Sequence, residues 1–487
     1  MTGTDPPIES AEAIVLGAGV SGLAAARSLV RAGLRSVVVL EASAAPGGPL
    51  VTVASGGFLA ELGPNTVQDS PALLALAADA GCAADLVPAA GAARRRYVVH
   101  RGRLVALPGG PPGLLATPLL SWRAKARLAT EPWRRRGPGP HETVAAFFRR
   151  RLGTEALPLA DAMSLGVFAG DPEELAIGFA FGRAYALEHA HGSLLRGVLH
   201  AARQARRSGL PRAPRRLIAC RDGFEQLAWR LAAGLDVRYG CAAVEAAADR
   251  DGGFRVTAVR DGSRSVLTAP RLVSALPAAT AAAVLAPLAA RAPAQFISAP
   301  DRDAAAGGAE SPSPALAPFA AIPHAPVAVV ALGYGRDQVR HPLDGFGFLA
   351  PHREGRRILG CLFSSTLFPG RAPAGAALLT VMVGGRRRPD LVELTDGAIA
   401  GLARAELAEL LGVQGAPRLE LVRRWRPGIP QPDARWSAAR DAALALEAAN
   451  PGLAVAGSWL HGVGLPDCAR AGWEAGAAVY SKQTSPK

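Results

Sequence analysis

Three glycines and one carboxylate near the N-terminus carry the first chemistry legible in this chain. Gly17, Gly19 and Gly22 lie in Ala13-Ile-Val-Leu-Gly-Ala-Gly-Val-Ser-Gly, and Glu41 closes Val37-Val-Val-Leu-Glu, nineteen residues after Gly22. An apolar strand running into GxGxxG, then a helix, then a second strand ending in an acid is the arrangement that binds an adenine dinucleotide. Gly17 allows the tight turn, Gly19 lets a pyrophosphate approach the backbone, and Gly22 lets helix and strand pack closely. The positive end of the helix faces the phosphates, and Ala18, Val20 and Ser21 are the residues set between the three glycines. Glu41 is placed to accept from a ribose hydroxyl and to repel a 2′-phosphate. These residues alone leave FAD and NAD both open.

Other reactive residues form no comparable pattern. No Ser-His-Asp or Cys-His constellation stands out. The five cysteines (Cys82, Cys220, Cys241, Cys361, Cys468) are odd in number and lack CxxC or zinc spacing. That usage fits a reducing compartment and excludes a disulfide framework. The formal net charge is +14, nearly all of it arginine, since lysine occurs only at Lys125, Lys482 and Lys487. Such a balance suits an anionic substrate or an acidic membrane surface, although an arginine-rich coding bias produces it too. The arginines are scattered and no aromatic-basic recognition module is present, which argues against nucleic acid. The first residues are polar and acidic, so no signal peptide is expected. The most apolar region, Leu267 to Gln295, is cut by Pro270, Pro277, Pro287 and Pro293. The expectation is a cytoplasmic protein, at most peripheral to the inner face of a membrane.

A chain of 487 residues supports two or three domains. After the βαβ unit, Ser70 to Gly81 reads as a helix capped by Ser70, and Arg95 to Leu107 as a hairpin around Arg101-Gly102. Residues 112–208 have helical spacing. Their basic segments Arg134-Arg-Arg136 and Arg149-Arg-Arg151 read as a solvated helix face, with anionic lipid as the alternative. Strands are expected at Asp236–Tyr239, Gly253–Val259 and Ser265–Thr268, separated by turn signals at Asp251-Gly252 and Asp261-Gly262. Arg271–Leu276 reads as a buried strand, 299–314 as a low-complexity loop, and Val327–Leu332 and Ala377–Val383 as central strands. A helix follows from Thr395 to Leu411. Leu453–Ala456 then leads into a second glycine-rich turn, Gly457 to Gly464, and a closing helix from Pro466 to Tyr480. Nucleotide-type loops at both ends predict a cofactor domain assembled from separated segments.

Placed in order, these pieces resemble the FAD-dependent protoporphyrinogen/coproporphyrinogen oxidase family, within the amine-oxidase-like flavoproteins. The resemblance runs over nearly the whole chain. Its anchors are Gly17–Gly22, Gly63-Pro-Asn65, Arg96-Tyr97, Leu119–Arg127, Gly166-Val-Phe-Ala-Gly-Asp171, Glu188–Ser193, His341-Pro-Leu-Asp-Gly-Phe-Gly-Phe-Leu349, Phe368-Pro-Gly-Arg371, Val383-Gly-Gly385 and Gly462–Cys468. It implies an α/β fold: a discontinuous Rossmann-like FAD-binding domain, a mixed-sheet substrate domain and a helical subdomain of membrane-facing type. The corresponding segments are 11–93, 213–290 and 445–483 for FAD, 94–212 for the hairpin and helices, and 291–444 for the substrate sheet.

The implied reaction is dehydrogenation of a porphyrinogen to the porphyrin in haem biosynthesis. It takes six electrons over three flavin cycles and reduces dioxygen to hydrogen peroxide. Protoporphyrinogen IX and coproporphyrinogen III both fit, and a quinone in place of dioxygen, a homodimer and peripheral membrane contact stay open. No side chain is required as a catalytic acid or base. By the resemblance, Gly17–Gly22, Glu41, Ala42 and Gly48 hold pyrophosphate and ribose, and Gly63, Pro64, Asn65 and Thr66 lie by the isoalloxazine. The Val244 backbone meets adenine, and Ser458, Val463, Gly464 and Leu465 line the flavin. On the substrate side Arg96 binds a propionate, the Gly166 carbonyl faces the macrocycle, and Phe346, Phe348, Leu362 and Phe363 are apolar walls. His189, His191, His341 and His461 are candidate catalytic imidazoles, of which His461 is nearest the expected flavin turn, where the family has no obligatory histidine base; Cys468 reads as a packed thiol.

The chain also departs from that pattern. Pro49 stands where the family places a basic residue after the glycine pair, which predicts flavin binding weaker by about 1–3 kcal/mol. Ile429-Pro-Gln-Pro-Asp-Ala-Arg-Trp436 and Phe181-Gly182 differ from the usual Ile-Pro-Gln-Tyr and Phe-Pro. These departures keep open a divergent flavin amine oxidase or desaturase, or a degenerate flavoprotein.

Overall fold

The structure, a computed structural model, describes residues 8–109, 113, 116–207, 216–290 and 313–484. Residues 299–312 of the expected low-complexity loop lie outside the described residues.

The apolar runs of the nucleotide unit form a five-stranded sheet in the order Asp236–Arg238, Val37–Leu40, Ala13–Leu16, Leu272–Ser274, Leu453–Val455. All four pairings are parallel. Four of these strands are buried throughout, as expected when helices cover both faces. Because the strands run the same way, the segments after Leu16, Leu40 and Val455 leave one edge of the sheet, where α/β folds bind their ligands. Asp236–Arg238 departs from expectation. It joins this parallel sheet through Val37–Leu40. The antiparallel partner of Phe254–Arg260 is instead Cys241–Ala248, in a four-stranded sheet.

The second large sheet has seven strands, ordered Leu419–Pro430, His324–Gly335, Ala376–Gly384, Gly360–Leu362, Gly347–Leu349, Tyr97–His100, Arg103–Ala106. The expected central strands thus fall inside it. The Arg101-Gly102 hairpin forms as expected, with both turn residues at positive φ (53° and 75°), as a two-residue turn matching strand twist requires. The helix Asp396–Leu411 covers this sheet and is capped by Thr395.

Between these sheets in sequence, the helices Val144–Arg151, Leu157–Phe168, Gly182–His191 and Leu194–Arg207 gather around Phe147, Phe148, Phe168 and Ile177, and the helix Trp122–Ala129 is tied to the first of them by Arg127, which donates to the carbonyls of Arg149 and Arg150. Here one expectation fails. Arg151 is not solvated but fully buried, with Glu131 Oε1 at 3.1 Å and Glu188 Oε1 at 2.5 Å. Arg150 is bound by Glu142 and Glu188. Buried guanidinium groups of this kind persist only when fully partnered. The carboxylates that partner them are far away in sequence, so the arginine run by itself does not reveal the burial.

Candidate active site

Main-chain geometry builds the first half of the site. The helix Val20–Arg31 begins at Gly19 with no side-chain cap and no acid in its first turn, so its first amide donors remain available to an anion. A Cβ on Gly22 would lie 1.8 Å from the Gly17 carbonyl oxygen, whereas one on Gly19 would meet nothing within 4 Å. Close packing and an open approach are therefore divided between the two glycines as the motif requires. Glu41 Oε2 accepts from the Ala18 N–H at 2.7 Å, and its Oε1 accepts from the N–H and hydroxyl of Ser43. The carboxylate is thereby held at the mouth of the turn with acceptor capacity left over. Ala42 is exposed beside it.

Two further loops close on this turn. The Gly47 N–H donates to the Ala18 carbonyl at 2.8 Å, and a Cβ on Gly63 would lie 1.8 Å from the Pro49 carbonyl oxygen. The loop carrying Gly48 and the turn Gly63-Pro-Asn-Thr66 are thus stacked on the glycine turn, and Gly63 through Thr66 are all half-buried. From the last strand, the Ala456 N–H reaches the Ser274 carbonyl and Trp459 Nε1–H the Leu276 carbonyl. Ser458, Val463 and Gly464 remain half-buried at that edge and Leu465 is buried. The closing helix Leu465–Thr484 crosses Val20–Arg31 so closely that a Cβ on Gly472 would come within 2.0 Å of the Ser21 carbonyl oxygen. Cys468 is packed there, and burial pushes its thiol up to about 11. The thiol is inert.

Val244 is where the Cys241–Ala248 strand bulges: its neighbours pair with Ala258 and Thr257 and it has no partner in the register. It is 44 % exposed, and the Cys241 N–H donates to the Glu41 carbonyl. With the Glu41 N–H on the Arg238 carbonyl and the Gly240 N–H on the Ser43 carbonyl, three main-chain bonds join the adenine side of the expected site to the ribose side.

Under the Gly63 turn lies a charge pair that sequence reasoning missed. Glu61 and Arg371 are both 3 % exposed and lie 3.1 Å apart. Glu61 also accepts from Thr52 Oγ1 and the Phe224 N–H, and Arg371 donates to the Cys220 carbonyl. Burial raises the Glu61 carboxyl pKa against the pull of Arg371. The pair lines a small cavity with Asn65, Ser364, Leu367 and Phe368. The adjacency of Glu61 to Leu62-Gly63-Pro64 was the available signal. Its partner, three hundred residues on, was not visible.

The substrate-side residues divide. Arg96 is exposed, stacks its guanidinium 5.0 Å over the Phe346 ring, and makes no ion pair among the described residues. Phe346 and Leu362 are half-buried and pack against the core beneath the nucleotide helices. Phe348 and Phe363 do not join them. They are 3 % and 0 % exposed and pair with each other in the core of the seven-stranded sheet, so the expectation that they form pocket walls is corrected. The cause is Gly347, whose φ of +135° breaks the alternation of side chains and sends Phe346 and Phe348 into different cores. Gly166 is exposed on the helix Leu157–Phe168, where its Cβ would lie 3.1 Å from Leu349. Met163, three residues before it, and Val167, next to it, are both exposed and were not singled out. An exposed apolar pair four apart, with the glycine between them, was the missed signal.

His341 and His461 are both held below the usual imidazole range by burial. The Nδ1 of His341 accepts from the Leu343 N–H at 3.0 Å, a loop-shaping contact.

An uncapped glycine turn, an acid at the end of the second strand and a second glycine turn on one sheet edge define a dinucleotide-binding protein. The model of the family described as flavin containing amine oxidoreductase matches residues 20–480, and this chain belongs to that family. With the adenine-binding unit described above, the cofactor is FAD. The chain is 32% identical to protoporphyrinogen oxidase of Bos taurus over 96% of its length and 98% of that protein. It is 30% identical to the chloroplastic protoporphyrinogen oxidase of Nicotiana tabacum over 97% of its length and 86% of that protein. Among solved structures, one from Exiguobacterium sp. named for a protoporphyrinogen oxidase aligns with TM-score 0.75 at 21% identity, covering 98% of this chain and 99% of that one. Reduced UDP-galactopyranose mutase aligns at 0.67 and 15%, covering 98% and 96%, which extends the shared fold to other chemistry.

Proposed function

We propose that this enzyme oxidises a porphyrinogen, protoporphyrinogen IX or coproporphyrinogen III, to the corresponding porphyrin with dioxygen as acceptor. What carries the reading is Arg96: an exposed guanidinium with no ion-pair partner among the described residues, fixed on an aromatic ring, in a chain similar end to end to protoporphyrinogen oxidases. When bound, FAD supplies the redox chemistry, and one porphyrinogen with three dioxygen gives one porphyrin and three hydrogen peroxide. The protein's part is to bind and orient. Gly17–Gly22, Glu41, Ala42 and Gly48 would hold the pyrophosphate and ribose, and the Val244 backbone would meet adenine. Gly63–Thr66, Ser458 and Val463–Leu465 would border the ring. Arg96 takes a propionate in a bidentate contact, to which a planar guanidinium is suited. Phe346, Leu362, Met163, Val167 and the Gly166 backbone present apolar surface to the macrocycle, which excludes water from the reacting carbon.

Porphyrin fluorescence and oxygen uptake test the reading with both porphyrinogens on the yellow, FAD-loaded protein. A flavoprotein that oxidises neither would return the reading to the divergent amine oxidase or desaturase. A purified protein without flavin would point to a degenerate family member, the direction suggested by Pro49.

We also propose contact with an anionic membrane surface on the cytoplasmic side. Trp122 and Trp133 are 71 % and 76 % exposed, and Leu195, Val198 and Leu199 are exposed on a helix that packs on the Glu131–Trp133 turn. Arg123, Arg135, Arg136 and Arg196, within three residues of them in sequence, are exposed too. No helix among the described residues is long and apolar enough to cross a membrane. Co-sedimentation with anionic but not neutral vesicles is the expected result.

A further inference from the structure

The two residues flanking Arg96 are held by one carboxylate. Asp344 accepts from Tyr97 Oη at 2.7 Å and forms an ion pair with Arg95. Residues 95 and 97 share one face of an extended chain, and Arg96 projects from the other. The main chain is fixed at the same points. The Phe346 N–H donates to the Arg95 carbonyl at 2.7 Å, and the Leu107 N–H donates to the Arg96 carbonyl at 2.8 Å.

The loop bearing Asp344 is shaped for this position. Leu343 has φ +54°, unusual for a residue with a Cβ, and its N–H and carbonyl are bound by His341 Nδ1 and Thr366 Oγ1. A Cβ on Gly345 would fall 2.8 Å from both the Arg95 carbonyl oxygen and the Tyr97 ring, so the loop can lie against the start of the strand only with glycine there. The backbone strain at Leu343 and the bare glycine at 345 both serve to bring one carboxylate against residues 95 and 97.

We propose that Asp344 is a positioning residue for Arg96: by clamping Arg95 and Tyr97 from one face it presents the Arg96 guanidinium, over Phe346, to a carboxylate of the substrate. The clamp also neutralises Arg95, so the adjacent cation neither competes for that carboxylate nor repels Arg96. The inference rests on the reading of Arg96 as the propionate contact.

The test compares a dicarboxylate porphyrinogen with its dimethyl ester on the FAD-loaded enzyme. Wild type is expected to prefer the acid in KM, and Arg96→Met to abolish that preference. Asp344→Ala is expected to raise KM for the acid by about threefold to tenfold, in the lower part of the range of coupling between neighbouring residues. Its KM for the ester, its kcat and its flavin content stay as in wild type. Asp344→Asn, which keeps an acceptor for Tyr97, is expected to fall between them. In the Arg96→Met background Asp344→Ala should have no further effect. Fluorescence titration with protoporphyrin IX and its dimethyl ester reads the same split without turnover. An equal rise for acid and ester, or an undiminished effect of Asp344→Ala in the Arg96→Met background, overturns the positioning role while leaving the reading of Arg96 intact. A wild type that oxidises porphyrinogens without distinguishing acid from ester overturns the Arg96 contact, and the clamp with it.

Discussion

The two halves of the site are made of different material. Along the parallel sheet the proposed cofactor side is backbone: uncapped amides at Gly19, loops that cross at Gly63 and Pro49, and a helix crossing at Gly472 that leaves no room for a side chain. At the hairpin end of the seven-stranded sheet the proposed substrate side is side chain: Arg96 on Phe346, Asp344 between Arg95 and Tyr97, Met163 and Val167 exposed beside Gly166. A site made of backbone can be altered only by forcing the chain apart. One made of side chains can be retuned residue by residue while the fold stays whole. Reduced UDP-galactopyranose mutase shares this fold, so the fold alone does not fix the chemistry.

The charge pairs sharpen the contrast. Glu61–Arg371 is buried beneath the cofactor turn, whereas Arg95–Asp344 is largely solvated. Arg371→Met leaves Glu61 buried and unpaired, at a cost of about 3–5 kcal/mol in stability. The expected result is a large fall in Tm with loss of bound flavin. Adding Glu61→Leu should recover much of the stability, since the unpaired charge is the main penalty. Next in size is Gly63→Ala, which drives a Cβ into the Pro49 carbonyl and costs about 3 kcal/mol by overpacking against backbone that cannot yield. Flavin absorbance relative to protein absorbance after purification checks it. Full occupancy in that variant would mean that the 46–49 loop moves freely, and the contrast between rigid and tunable halves would break.

Legibility from sequence follows the same line. Gly17, Gly22, the Ser70 cap, the Arg101-Gly102 turn and the Thr395 helix start are local demands of backbone geometry, so residue type and spacing announce them. Features closed by distant partners stay silent. Arg151 reads as one of three surface arginines until Glu131 and Glu188 are brought against it. Glu61 meets Arg371, and Asp344 meets Arg95 and Tyr97, only through the fold. Asp236–Arg238 looks like one arm of a hairpin because its true neighbour, Val37–Leu40, is two hundred residues earlier. Phe346 and Phe348 look like one apolar face because the alternation rule assumes regular φ, and Gly347 at +135° breaks it.

On the substrate side the expected changes are smaller and more selective. Arg96→Ala removes a charge-assisted contact and should raise KM for a carboxylate-bearing porphyrinogen by about tenfold, with flavin content and Tm unchanged. A fall in flavin occupancy in this variant would show the two halves to be coupled after all.

The smallest expected effect is on the acid side of the stability curve. His461, at the second glycine turn, is held below its ordinary pKa of 6.5 by burial, and so is His324. The folded state therefore keeps these rings neutral where the unfolded chain takes up protons, and stability should decline as pH falls below about 6.5. His461→Gln removes one of those proton-uptake sites, so denaturant melts of the variant between pH 7 and pH 5 should lose less stability than wild type. An identical slope in the two proteins would mean that the His461 ring titrates alike folded and unfolded, and hence that this part of the flavin turn is open to solvent rather than packed.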